Sequence, residues 1–190
     1  MENQDPDELA EAAKDTFKTR CALLVSALAL VLTVNNLGGS NTAKEAMMSN
    51  ILASNTYAFY QAKNVRQTEY KLAADQIEFQ LAIEKLSAPT AELLQSKLAS
   101  YKKTIERYES EPETGEGKKE LLLKAKSLEQ ERDLALRKDP WFDYAEGLLQ
   151  LAIVLTSVAI ISNRRSMFSA ASVLGVVGAL CTLNGYFLFY

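Results

Sequence analysis

The side chains best suited to molecular recognition are concentrated in one stretch of ten residues. Its candidate residues are three aromatic rings, one amide and two cations: Tyr57, Phe59, Tyr60, Gln61, Lys63 and Arg66. Aromatic and arginine side chains dominate protein interfaces, because they bury a large area and also form hydrogen bonds. On a helix, Tyr60 and Lys63 share a face, and so do Phe59 and Arg66. These residues are candidates for contact with a partner or a lipid headgroup. The interpretation we favour is that the rings pack two helices together while the cations extend to water.

Other kinds of chemistry lack the residues they need. The chain has no histidine, and its two cysteines, Cys21 and Cys181, are predicted at different depths of a membrane, too far apart for a disulfide. No Cys-x-x-Cys pair, glycine-rich phosphate loop or metal-ligand spacing occurs. We therefore expect no enzymatic activity, no cofactor and no metal. Nucleic-acid binding is not expected either, because the net charge is −3 and the basic residues are interleaved with acids.

Charge is distributed in blocks along the chain. Residues 38–139 hold 16 of the 21 Lys and Arg residues and 16 of the 24 Asp and Glu residues. The segments on either side are mostly apolar. This separation is typical of a membrane protein with one charged domain outside the bilayer.

Three segments have the composition of transmembrane helices, namely residues 21–40, 140–162 and 167–190. A helix needs about 20 apolar residues to cross the hydrocarbon core. The second segment follows Asp139, a helix-capping residue, and starts with Pro140, which suits a first helical turn. We therefore expect a helix to begin where the chain enters the membrane. Residues 163–166 form the turn before the third segment.

Small and polar residues within these spans are candidates for helix packing or for a transport path. Close helix packing in lipid favours small residues, and the third span offers Ala171, Gly175, Gly178 and Ala179. The polar residues at membrane depth are Asn35, Asn36, Gln150, Thr156 and Asn184. No charge lies at the centre of a span, whereas transport paths usually contain one.

Lysine and arginine residues predict the orientation. Lys14, Lys18 and Arg20 precede the first span, and Arg164 and Arg165 occupy the turn between the last two. The positive-inside rule places both sites in the cytoplasm. Residues 1–20 are then a cytoplasmic amphipathic helix, and residues 41–139 lie in the periplasm of a bacterium.

Residues 41–139 are expected to form a long antiparallel hairpin of coiled-coil character. The outgoing arm, residues 41–86, has a helical stripe at Met48, Leu52, Phe59, Ala62, Tyr70, Ala73, Ile77 and Leu81. A turn containing proline follows at residues 87–90. The returning arm repeats Ala91, Leu94, Leu98, Tyr101, Ile105 and Tyr108, then Leu121, Ala125, Leu128 and Ala135. The two arms match in length, at about 69 Å and about 73 Å.

The returning arm is interrupted at residues 111–117, an acidic stretch that contains proline and glycine. Its acids lack the pattern of a calcium loop, and we expect a solvated linker. An alternative to the hairpin has four shorter segments with a turn near Asn64. Both arrangements return the chain to the membrane face that it left.

The chain resembles a known family, most specifically in the stretch from Leu52 to Arg66. The resemblance extends to the preceding residues 41–47, to the single N-terminal span and to the closing pair of spans joined by an arginine-containing turn. The family comprises uncharacterised bacterial inner-membrane proteins classified as a domain of unknown function. The resemblance implies location and architecture but no activity. An unbroken returning helix is typical of the family, so the interruption at residues 111–117 is a departure.

These observations predict an all-α membrane protein with three transmembrane helices and an extramembrane helical hairpin. We expect a non-enzymatic multi-pass protein that acts as an oligomeric scaffold or as an accessory subunit of a membrane complex. The alternative is a small oligomeric channel or transporter component. The expected partners are the lipid bilayer and either further copies of the chain or other subunits.

Overall fold

The computed structural model describes residues 6–189, with side chains from residue 14 onward. It contains four helices, α1 (Pro6–Ile83), α2 (Ala88–Glu109), α3 (Lys118–Ser162) and α4 (Arg165–Phe187). No strand occurs within this range, which confirms the all-α prediction. Residues 1–5 and Tyr190, at the ends of the predicted N-terminal helix and the third span, lie outside the described residues.

The chain forms two compact units. The apolar unit comprises Met1–Ala46 and Asp133–Tyr190, and the charged unit comprises Met47–Arg132. Helices α1, α3 and α4 each contain a stretch long and apolar enough to cross a membrane. The prediction of three helices suited to membrane crossing is therefore confirmed at the level of length and composition.

Helix α1 has 78 residues and joins three segments that the sequence pattern separates, residues 1–20, 21–40 and 41–86. It passes through Gly38 and Gly39, although each glycine costs a helix about 1 kcal/mol relative to alanine. Both positions adjoin the ring of Phe142 on α3. A Cβ on Gly38 would lie 2.5 Å from Phe142 Cε1, and one on Gly39 would lie 3.1 Å from Phe142 Cβ. The glycines therefore allow α3 to approach the α1 backbone.

The inward face of α1 repeats every seven residues. The positions are Cys21, Leu28, Asn35, Thr42, Ser49, Thr56, Lys63, Tyr70 and Ile77, all of them buried or half-buried. This period is that of coiled-coil packing, but more than half of the positions are polar. Helix α1 therefore contacts its neighbours through a seam that hydrophobicity alone does not mark.

The predicted apolar stripe on α1 is wrong in its first half. Met48, Leu52 and Phe59 are 58%, 43% and 40% exposed, and Ala62 is also exposed. The buried positions in this part of the helix belong to smaller or polar residues, among them Ser49 and Ala53. The second half of the stripe, Tyr70, Ala73, Ile77 and Leu81, faces inward.

Helix α3 does not begin at Asp139 as expected but runs from Lys118 through Pro140 to Ser162. Proline lacks the N–H that would bond to the carbonyl four residues earlier, which ordinarily ends or kinks a helix. The inward positions continue across the proline at helical spacing. Ala135 and Phe142 lie seven residues apart, and Ala145, Leu149, Ala152, Thr156 and Ala159 follow in steps of three and four; all seven residues are buried. Packing along this unbroken face compensates for the missing hydrogen bond.

Two connections close the charged unit. Residues 84–87 join α1 to α2, and Pro89 lies in the first turn of α2. Residues 110–117 join α2 to α3, and Glu120 holds this loop from the first turn of α3. The Glu120 carboxylate accepts hydrogen bonds from the Ser110 hydroxyl at 2.6 Å and from the Glu111 amide at 3.1 Å. Glu120 thus ties the start of the loop to the helix that follows it.

Candidate functional site

Asn35 connects the three long helices inside the apolar unit. Its side chain is 1% exposed. The amide nitrogen donates to the Phe142 carbonyl of α3 at 2.9 Å, and the amide oxygen lies 3.0 Å from the Thr182 hydroxyl of α4. The Tyr186 hydroxyl adds a bond from α4 to the Val34 carbonyl of α1 at 2.9 Å. The polar groups of Asn35 are therefore used within the chain.

The ring of Phe142 fills a slot beside this polar connection. It is 2% exposed and packs edge-on against the ring of Tyr186, with centroids 5.1 Å apart. Gly38 and Gly185 form two walls, because a Cβ on either would lie within 2.9 Å of a ring atom. Phe142 thus anchors α3 against both α1 and α4.

The other polar residues predicted at membrane depth have separate surroundings. Thr156 is buried and donates to the Ala152 carbonyl of its own helix at 2.7 Å. Asn184 accepts a hydrogen bond from the Phe189 amide at 2.9 Å, which caps the end of α4. Gln150 is exposed and bonds to Glu146 at 2.8 Å, and Asn36 is exposed. The structure does not bring these side chains together.

The small residues of α4 pack against helices of the same chain. Ala171, Gly175 and Gly178 are buried, and Ala179 is half-buried. A Cβ on Gly175 would lie 2.5 Å from Leu28 of α1, and one on Gly178 would lie 2.9 Å from Leu149 of α3. Each glycine therefore serves contact with a different neighbour.

The structure separates the six predicted contact residues into inward and outward groups. Tyr57 is half-buried and donates to Glu129 of α3 at 3.1 Å. Partial burial, with the hydrogen bond to Glu129, raises the pKa of Tyr57. Tyr60 is half-buried and Lys63 is 5% exposed, whereas Phe59, Gln61 and Arg66 are exposed. The first group packs within the charged unit, and the second remains available to a partner.

A polar cluster lies in the interior of the charged unit, centred on Gln67, which is 2% exposed. Gln67 donates to the Ile105 carbonyl at 2.9 Å and to Glu109 at 3.1 Å, and it accepts from Lys118 at 2.8 Å. The Lys118 ammonium lies 3.3 Å from the Glu109 carboxylate. The hydrogen bond from Gln67, followed by those of Lys118, lowers the pKa of Glu109. The cluster links α1, α2 and α3.

Lys63 occupies a second polar position one turn before Gln67. Its ammonium lies 3.4 Å from Glu116 of the loop and over the rings of Phe59 and Tyr108, at 5.2 and 5.7 Å from their centroids. Paired charge and aromatic faces reduce the cost of burying a cation. Glu116 is exposed, as a solvated linker predicts, but it also pairs with Lys63. Glu109, at the end of α2, is half-buried and pairs with Lys118.

A groove of about 430 Å³ between α1 and α2 is lined by tyrosines. Its residues are Arg66, Glu69, Tyr70, Ala73, Tyr101 and Tyr108. The ring centroid of Tyr70 lies 5.2 Å from that of Tyr101 and 5.9 Å from that of Tyr108. Arg66, the last of the six candidate contact residues, therefore lies at the surface of this groove.

The outward face of α1 in the charged unit carries an exposed apolar row. We define this outer row as Ile51, Ala58, Val65, Leu72 and Phe79, which follow one another at intervals of seven residues. The four large members are 44%, 58%, 65% and 64% exposed. Exposed apolar side chains aligned on one face of a helix indicate a contact surface.

Sequence reasoning missed several residues of these clusters. No sequence pattern marks Lys118 or Glu109 as part of a cluster. The one local signal for Gln67 is that it follows Lys63 by four positions, on the same helix face. Phe142 was equally unmarked, because its partners lie on distant helices. The seven-residue repeat from Cys21 to Ile77 was a readable signal, hidden by its polar members.

The fold defines a class: an all-helical protein in which three helices are suited to crossing a membrane. The chain belongs to the family described as a domain of unknown function, DUF4337, whose profile matches residues 17–188. The predicted resemblance to a domain of unknown function is therefore confirmed. No curated protein and no solved structure matches the chain.

Proposed function

We propose that this protein is a non-enzymatic, multi-pass protein of the bacterial inner membrane, where it acts as an accessory subunit or scaffold of a membrane complex. The three apolar helices support membrane insertion. The basic residues Lys14, Lys18 and Arg20, together with Arg164 and Arg165, support a cytoplasmic N-terminus. The charged unit then lies in the periplasm.

The observation that carries the proposal is the outer row of α1. A water-exposed domain gains nothing from keeping Val65, Leu72 and Phe79 on its surface at regular spacing. The row has one residue in every seven, so all of its members lie on one narrow face of α1. A second helix lying alongside α1 would cover such a face. Covering each side chain contributes about 25 cal/mol per Å² of apolar area removed from water.

Charge beside the row specifies the chemistry of the partner. On a helix, Glu69 lies about 40° from Val65, and Asp75 lies about 40° from Phe79, on the other side of the row. In a parallel pair of identical helices the side that carries Glu69 would face the side of the other helix that carries Asp75, so the acids would repel. A helix of another protein, with apolar residues flanked by lysine or arginine, satisfies both the row and its acids.

Site-specific photocross-linking in cells tests this proposal. A photoreactive residue at Leu72 is expected to give an adduct with a different polypeptide. Sequencing of the cross-linked peptide should find a helical segment with basic residues within one turn of an apolar residue. The control position is Leu123 of α3, which is 69% exposed against 65% for Leu72 and lies outside the row.

Matched substitutions provide the second arm. With the photoreactive residue at Val65, Leu72→Glu should abolish the adduct, whereas Leu123→Glu, with the same change of charge, should leave it unchanged. Glu69→Lys should weaken the adduct several-fold. An adduct of twice the chain mass would identify a second copy and contradict the heteromeric partner, and equal adducts from positions 72 and 123 would refute the row as the contact surface.

The alternative of a channel component has no comparable support. The polar side chains that would line a path include Asn35, Thr156 and Asn184, and each of them bonds to atoms of its own chain.

A further inference from the structure

A cavity of about 340 Å³ lies between residues 16–20 of α1, which precede its apolar stretch, and the first turn of α4. It is lined by Thr16, Phe17, Arg20, Arg165, Phe168 and Ser169. Part of its wall is aromatic: Phe17 is 8% exposed and meets Phe168 edge-on, with ring centroids 5.8 Å apart. Arg20 of α1 and Arg165 of α4 also line the cavity, and both are exposed. The cavity therefore combines two cationic side chains with an aromatic wall.

The two arginines have no carboxylate partner among the residues whose side chains the structure describes. Lys18, by contrast, pairs with Asp15 at 3.4 Å. Two guanidinium groups at one cavity repel each other unless an anion lies between them. Arginine binds phosphate through parallel N–H···O bonds, so a phosphate group satisfies both residues.

The position of the arginines along the chain gives the level of the cavity in a membrane. Arg20 immediately precedes the uncharged run of residues 21–40, and Arg165 immediately precedes that of residues 166–190. In the membrane placement proposed above, on which this inference rests, both guanidinium groups lie at the interface where lipid phosphates lie.

We propose that this cavity binds the phosphate headgroup of an anionic phospholipid, with Arg20 and Arg165 as its ligands. The site holds one lipid between α1 and α4. The chemistry selects a phosphate with net negative charge over a zwitterionic headgroup, whose own cation competes with the arginines.

The test uses the full chain reconstituted in two kinds of vesicle, phosphatidylcholine alone and phosphatidylcholine mixed with phosphatidylglycerol. Phosphatidylglycerol should remain bound after gentle extraction, detected by native mass spectrometry, and should raise the thermal midpoint, because a ligand that binds only the folded state stabilises it. Arg20→Gln or Arg165→Gln should each weaken retention about tenfold, as expected for the loss of one charge-assisted hydrogen bond.

Arg164→Gln is the matched control, because Arg164 adjoins Arg165, is exposed and does not line the cavity. It removes the same charge and should leave retention unchanged. An equal loss in all three variants would show diffuse attraction to the membrane surface and overturn the site. Equal midpoints in phosphatidylcholine alone would show that the variants fold normally.

Two further arms distinguish a bound lipid from a free phosphate and test membrane insertion separately. Stabilisation by inorganic phosphate equal to that by phosphatidylglycerol would overturn the lipid in favour of a free phosphate. Failure of the wild-type chain to float with phosphatidylcholine vesicles would refute membrane insertion itself. Flotation without any preference for phosphatidylglycerol would refute only the lipid site.

Discussion

Single polar side chains connect three helices in each unit. Asn35 bonds to α3 and α4, and Gln67 bonds to α2 and α3. Buried polar groups contribute little net stability, but an alternative register leaves them without partners. All buried side-chain nitrogen and oxygen atoms within the described residues have a hydrogen-bond partner. We infer that these residues fix the register of helices whose seams are otherwise poor in large apolar side chains.

Replacing Asn35 measures how much its hydrogen bonds to α3 and α4 contribute to the free energy of unfolding. Asn35→Leu removes the hydrogen bonds to Phe142 and Thr182, and we expect a loss of about 1 kcal/mol, typical of polar bonds between membrane helices. The measurement is the free energy of unfolding of the purified protein in detergent. Asn36→Leu is the control, because Asn36 is exposed and the substitution should be neutral. Equal effects at the two positions would contradict the role of Asn35.

The lowered pKa values of Glu109 and Glu120 predict a pH dependence of the charged unit. Gln67 and Lys118 stabilise ionised Glu109, and the Ser110 hydroxyl and Glu111 amide stabilise ionised Glu120. A lowered folded-state pKa contributes stability that is present above the ordinary glutamate value of 4.5 and lost as pH falls through the lowered values. The thermal midpoint of the charged unit should therefore fall upon acidification below pH 4.5.

Glutamine variants test this assignment. Glu109→Gln and Glu120→Gln should each lower the midpoint at neutral pH and reduce its fall on acidification. Glu113 is exposed in the loop between these two residues, and Glu113→Gln should change neither quantity. An unchanged acid sensitivity in both variants would assign the effect to other carboxylates.

At the scale of the helices, the sequence predicted those parts whose packing is apolar and local. The six positions from Ala91 to Tyr108 form a regular seam on α2, and all of them are half-buried. The pattern failed on α1, where Ser49 and Lys63 occupy inward positions that an apolar stripe does not include. It failed again at Pro140, because local preference is outweighed there by packing of Phe142 and its neighbours on both sides of the proline. Contacts between distant helices determine these features.

The glycines of α1 provide a test at this scale. Gly38→Ala places a methyl group against the ring of Phe142, and we expect it to reduce stability by about 1–3 kcal/mol, the usual effect of overpacking. Gly147→Ala is the control, since a Cβ there meets no atom within 4 Å and should be neutral or stabilise by about 0.5–1 kcal/mol. Unfolding in detergent measures both. A stabilising Gly38→Ala would contradict the close approach of α3.

At the scale of the whole molecule, charge and packing divide along the same boundary. The apolar unit contains the helix stretches suited to lipid, with glycine contacts and one polar connection in its interior. The charged unit contains the paired lysines, the tyrosine groove and the outer row. The composition of the sequence was enough to predict this division. It did not identify the outer row or the cavity lined by Arg20 and Arg165, because both depend on which faces of the helices are buried.

The proposed topology predicts which positions can be labelled from each side of the inner membrane. Arg164 and Arg165 lie in the cytoplasm in this arrangement, and the charged unit lies on the opposite side of the membrane. In a background with Cys21 and Cys181 replaced by alanine, Lys103→Cys on α2 should react with a membrane-impermeant maleimide added to cells whose outer membrane has been made permeable. Ser166→Cys should react only after the inner membrane is also disrupted. Because both residues are exposed, neither should be shielded by the protein itself. Reaction of Ser166→Cys first would invert the orientation, and equal reaction of both would place the two positions on one side of the membrane.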